Sequence, residues 1–98
     1  MNKIYYVYRH INNINDVVFY VGKGTSGGKR GYDRKSENSP NRRNEKWIEY
    51  VKNIGYDYTY EVVREFDDEK DAYDFEFILQ KYYWSIGQCQ CSLMGGED

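Results

Sequence analysis

Lys3-Ile4-Tyr5-Tyr6-Val7-Tyr8-Arg9-His10 and Val17-Val18-Phe19-Tyr20-Val21 are two runs of strand-forming residues with neither Gly nor Pro inside them. Tyrosine and the β-branched residues fit a pleated, half-buried surface, so each run reads as a strand. Between them, Asn12-Asn13-Ile14-Asn15-Asp16 is turn chemistry, because Asn and Asp side chains bond back to the nearby backbone. The two strands therefore form a hairpin. Gly22, Gly24, Gly27 and Gly28 follow and read as a flexible loop, one that could bring backbone close to a phosphate. Its spacing matches neither the Walker loop nor the G-x-G-x-x-G of a βα crossover. Lys29 to Ser36 then reads as a short helix with Arg30 and Arg34 on one face, four residues apart.

Further along, Ser39-Pro40-Asn41 is a helix-start signal, and Trp47, Ile48, Val51 and Ile54 recur with helical spacing until Gly55. From Asp57 to Phe66, Tyr58, Tyr60, Val62 and Phe66 are read as one face of a third strand, with Thr59, Glu61 and Arg64 between them. Asp67 or Asp68 caps a last long helix, which runs through Ala72, Phe75, Leu79, Tyr83 and Ile86 to Gly87. The order is β-β-α-α-β-α. The simplest architecture for it is α+β, a small three-stranded antiparallel sheet flanked by helices, with residues 1–98 forming one domain.

The composition fits a folded chain whose aromatic side chains supply much of the burial: 18% of residues are aromatic, 12 of them Tyr, with one Pro. No apolar run approaches the roughly 18 residues of a membrane span, and Met1-Asn2-Lys3-Ile4-Tyr5 lacks the apolar stretch of a signal peptide, so the expectation is a cytoplasmic protein. Cys89 and Cys91 are too close for a useful bridge, and with His10 as the only histidine, four zinc ligands are hard to collect. The net charge of −2 argues by itself against a polyanion partner, but its distribution does not. Lys23 to Lys46 carries eight basic and three acidic residues, whereas Asp57 to Glu76 carries nine acidic and two basic. A solvated, salt-bridged surface accounts for such a split as readily as a nucleic acid does.

Glu76 stands out by patterning. It follows Ala72 by four residues and precedes Leu79 by three, which sets it on or beside the buried stripe of the last helix. A carboxylate there is costly unless it edges out to solvent, pairs with an arginine or binds a metal. The strand tyrosines have a plain structural reading as well, since Tyr packs in sheets with its hydroxyl reaching water.

Taken together, Tyr6-Val7-Tyr8 on the first strand and Tyr20-Val21-Gly22 on the second resemble the paired signatures of the GIY-YIG nucleases. Lys23 follows in Gly22-Lys23-Gly24, Arg30 lies ten residues after Tyr20, where that family places its arginine, and Glu76 falls where it has its metal-binding glutamate. The resemblance covers nearly the whole chain. It departs at Tyr6, in place of Gly; at Val7 and Val21, in place of Ile; at Arg34, where His or Tyr is usual; and at Cys89 to Gly96, which lacks an Asn. Tyr32 lies close enough to Arg34 to substitute for the usual side chain.

The resemblance implies a divalent-metal-dependent endonuclease that hydrolyses DNA phosphodiester bonds. Glu76 would hold one Mg²⁺ or Mn²⁺, a hard ion that keeps several waters and borrows oxygen ligands from the phosphate. Arg30 would stabilise charge on the phosphoryl oxygens, Tyr8 would take the proton of the attacking water, and Tyr20 would orient that water or the phosphate. Lys23 would favour the phenolate. Tyr6, Tyr32 and Arg34 are auxiliary candidates, Arg34 also reading as one more phosphate contact. Lys29, Lys35, Arg42, Arg43 and Lys46 would track the nucleic-acid backbone. No reader module is visible, which leaves base specificity low or assigns it to a homodimer, a further domain or a partner. The alternative is a catalytically impaired relative that binds nucleic acid or protein.

Overall fold

The computed structural model describes residues 3–26, 34–36 and 43–91, an α+β unit of three strands and two α-helices. Strands β1 (Tyr5–Asn12), β2 (Val17–Thr25) and β3 (Tyr58–Phe66) form an antiparallel sheet in the order β2-β1-β3, so the first strand is central. Helices α1 (Glu45–Asn53) and α2 (Glu69–Ser85) pack against it, and a 3-10 turn covers Arg34–Ser36. The expected helix over Lys29 to Ser36 and the start signal at Ser39-Pro40-Asn41 lie largely or wholly outside the described residues. No helix among the described residues is long and apolar enough to cross a membrane.

The hairpin turn works as its Asn and Asp residues suggest. Asn12 Oδ1 accepts from Ile14 N at 2.9 Å, Asn15 Oδ1 accepts from Val17 N at 3.0 Å, and Asp16 takes the left-handed conformation at φ 60°. Both helices begin on a side-chain cap. Asn44 Oδ1 accepts from Trp47 N at 2.8 Å, and Asp68 Oδ1 accepts from Lys70 N at 2.8 Å. Gly87, at φ 79°, ends the second helix by turning the chain back.

Two expectations need correction. Gly22 and Gly24 do not begin a loop; they belong to β2, where they pair with Tyr8 and Tyr6. Each tyrosine ring folds across the glycine opposite it. A Cβ on Gly22 would lie 2.5 Å from Tyr8 Oη, and one on Gly24 would run into the Tyr6 ring. The second correction concerns β3, whose pairing with β1 skips Val63: Tyr8 faces Val62 and Val7 faces Arg64. This bulge reverses the alternation, so Phe66 joins Arg64 on one face while Tyr58, Tyr60 and Val62 occupy the other. A bulge in β2 has a similar effect: His10 faces Tyr20 and Ile11 faces Val18, which leaves Phe19 unmatched and puts Phe19 and Tyr20 in the same cluster.

Each face of the sheet has its own core. Tyr6, Tyr8, Phe19 and Tyr20 pack with Trp47 and Val51 of α1. Val7, Val18 and Val21 pack with Ala72 of α2 and with Cys89, supported by Phe66, Phe75 and Leu79.

Candidate active site

On the α1 side, β1 presents Tyr6, Tyr8 and His10 by simple alternation, and Tyr20 faces His10 from β2. All four side chains are buried. His10 is pinned from two directions. Trp47 Nε1 donates to its Nδ1 at 2.9 Å, and its Nε2 lies 2.7 Å from the carbonyl oxygen of Lys35. An indole can only donate and a carbonyl can only accept, so these bonds require the neutral ring with its proton on Nε2. The ring so fixed lies 5.1 Å from that of Tyr20 and 5.3 Å from that of Tyr8.

Arg43 completes this face. The residue is 5% exposed; its guanidinium donates from Nη1 to Tyr8 Oη at 2.9 Å and has its central carbon 4.9 Å from the Tyr20 ring centroid and 5.3 Å from that of Trp47. Sequence reasoning placed Arg43 on a nucleic-acid backbone at the surface. The structure turns it inward, because three aromatic faces and a phenol oxygen offer a weakly hydrated guanidinium more than the surface does. His10 and Trp47 were also not counted as site residues; a lone histidine two residues beyond Tyr8 was the only trace of that network in the sequence.

On the opposite face, Lys23 lies beside Val7 and is held by α2. Its Nζ is 3.0 Å from Glu69 Oε2 and 4.5 Å from the Tyr73 ring centroid. It therefore does not join Tyr8 and Tyr20. Glu76 is 2% exposed and shares a stripe with Ala72 and Gln80 at helical spacing, so it does not edge out to solvent. Gln80 Nε2 donates to Val21 O at 3.0 Å, while Gln80 Oε1 is buried with no hydrogen-bond partner among the described residues. The helix stripe thus reaches the backbone of Val21, and the next residue, Gly22, touches the Tyr8 phenol. The two groups of candidates approach one segment of β2 from its two sides.

The remaining candidates are dispersed or not described. Lys35 N donates to Tyr6 Oη at 3.4 Å, and Lys35 Nζ lies 5.5 Å from the Tyr6 ring centroid. Lys46 is exposed on α1 beside an open cleft of about 580 Å³ that Glu49, Tyr50, Trp84, Gln90 and Cys91 also line. The backbone of Arg34 lies in the 3-10 turn, and Lys29, Arg30, Tyr32 and Arg42 fall outside the described residues. Among the described residues no group of three His, Cys, Asp or Glu side chains is placed to hold a metal ion. The donors that would suit a hard cation are the Glu76 carboxylate and the Gln80 amide oxygen, a set that leaves most positions to water. No family model, no curated protein and no solved structure matches this chain.

Proposed function

We propose that this chain is a divalent-metal-dependent endonuclease of the GIY-YIG type that hydrolyses DNA phosphodiester bonds. The observation that carries the reading is the convergence on Val21-Gly22. A tyrosine hydrogen-bonded to a buried guanidinium lies against Gly22, and the helix stripe bearing Glu76 bonds to Val21 through Gln80. Arg43 would favour the phenolate form of Tyr8, the form able to take the proton of the attacking water, which is the part first assigned to Lys23. His10 holds the rings of Tyr8 and Tyr20 in place. Glu76, with Gln80 beside it, would hold Mg²⁺ or Mn²⁺, and the ion would supply charge stabilisation at the phosphate. Arg30 keeps its proposed role on the phosphoryl oxygens.

A second reading, a binding module without catalysis, is favoured by one observation: Tyr8 and Tyr20 have no exposed surface. Supercoiled plasmid separates the two. Nicking that needs both Mg²⁺ and Glu76, shown with Glu76→Ala at equal DNA occupancy, is the expected result. Binding without cleavage in either Mg²⁺ or Mn²⁺ would establish the second reading instead.

A further inference from the structure

The two edges of the sheet are treated differently. The outer edge of β2 is covered: Cys89 N donates to Val18 O at 2.7 Å, Cys91 N to Phe19 O at 3.0 Å, Gln80 Nε2 to Val21 O at 3.0 Å, and Val18 N donates to Gln88 Oε1 at 2.8 Å. Among the described residues, nothing covers the outer edge of β3. Every residue from Thr59 to Glu65 is exposed, and among the described residues their backbone groups bond only to β1. Tyr60 is 46% exposed, and Val62 and Val63 are each 37% exposed. A long edge with apolar side chains and unused backbone donors and acceptors is a template for another strand.

We propose that this edge pairs with the same edge of a second copy, antiparallel, about a two-fold axis between Val62 and Val63. The bulge and the charges select the register. Because Val63 reverses the alternation, Thr59, Glu61, Arg64 and Phe66 share one face, and Tyr60, Val62 and Glu65 the other. Two such strands keep like faces together when Glu61 lies opposite Arg64, Thr59 opposite Phe66 and Tyr60 opposite Glu65. That register forms two Glu61–Arg64 pairs across the axis and sets no like charges opposite each other along β3. Glu61 is equipped for this: Arg9 Nε and Nη2 both donate to its Oε1, which leaves Oε2 to accept from Arg64 of the second copy. The area is smaller than a standard interface, so association on the order of tens of micromolar is expected. The proposal does not depend on the nuclease reading.

Sedimentation of the full chain from low micromolar to near-millimolar concentration tests it, with circular dichroism to verify folding. Arg64→Glu alone and Glu61→Lys alone should each weaken the dimer at least tenfold, and an equimolar mixture of the two should restore it to within about threefold of wild type. Where Glu61→Lys does not fold, Val62→Lys, which sets two like charges beside the axis, should remove the dimer. A wild type that stays monomeric throughout, a dimer indifferent to these changes, or a mixture no tighter than its components would each overturn the proposal.

Discussion

The buried centre of the α1 face is aromatic and hydrogen-bonded, whereas that of the α2 face is small and aliphatic, with rings such as Phe66 and Phe75 only at its margin, and carries the one buried carboxylate among the described residues. Tyr6, Tyr8, His10 and Tyr20 are fixed by Trp47 and Arg43 on the first; Val7, Val18 and Val21 meet Ala72, with Glu76 and Gln80 on the same helix stripe, on the second. The difference teaches how a small domain can set buried polar groups firmly. One face achieves it with directional bonds among rings, the other with a helix whose polar residues recur every fourth position. Gly22 follows the Val21 carbonyl that Gln80 holds, and it is small because the Tyr8 phenol takes the space.

The largest effect should come from removing the charge on the aromatic face. Arg43→Met keeps much of the apolar contact but leaves the Tyr8 oxygen without its guanidinium donor, and DNA cleavage should fall at least about 100-fold while DNA binding holds. Single-turnover kinetics beside a binding isotherm would measure it; an equal loss of both would make Arg43 a binding residue. Gly22→Ala should follow. The new methyl meets a ring that Arg43 holds in place, and denaturant unfolding should show a loss of about 1–3 kcal/mol. Unchanged stability would mean that the ring moves freely.

The smallest effect concerns Cys91, at the end of the described chain. Burial pushes its thiol up to about 12 from an ordinary 9.0, with Cys89 adding to the shift and Lys46 opposing it. The folded state keeps a proton that the unfolded chain releases. This contribution to stability is therefore complete below about pH 9 and is lost as the pH rises towards about 12. Urea midpoints across that window should fall more steeply for wild type than for Cys91→Ala. Parallel slopes would remove Cys91 as the source.

Much of this arrangement was legible in the sequence. The strand runs, the Asn-rich turn and the apolar repeats at Trp47, Ile48 and Val51 each report local chemistry that the fold does not override. Glu76 was legible for the same reason, since helical spacing put it on a buried stripe. Other features depend on partners distant in sequence. A glycine in a strand looks like a loop until the tyrosine across the sheet is known, and a bulge such as Val63 leaves no local mark. Arg43 reads as surface because charge usually is, and only the fold shows the rings around it.

Plasmid cleavage by Tyr8→Phe and Glu76→Gln in Mg²⁺, with DNA occupancy matched to wild type, tests the nuclease reading on both faces at once. Both variants should bind DNA and fail to cut it. Cleavage retained by Tyr8→Phe and Glu76→Gln alike would contradict the assignment of catalysis to the two sides of β2.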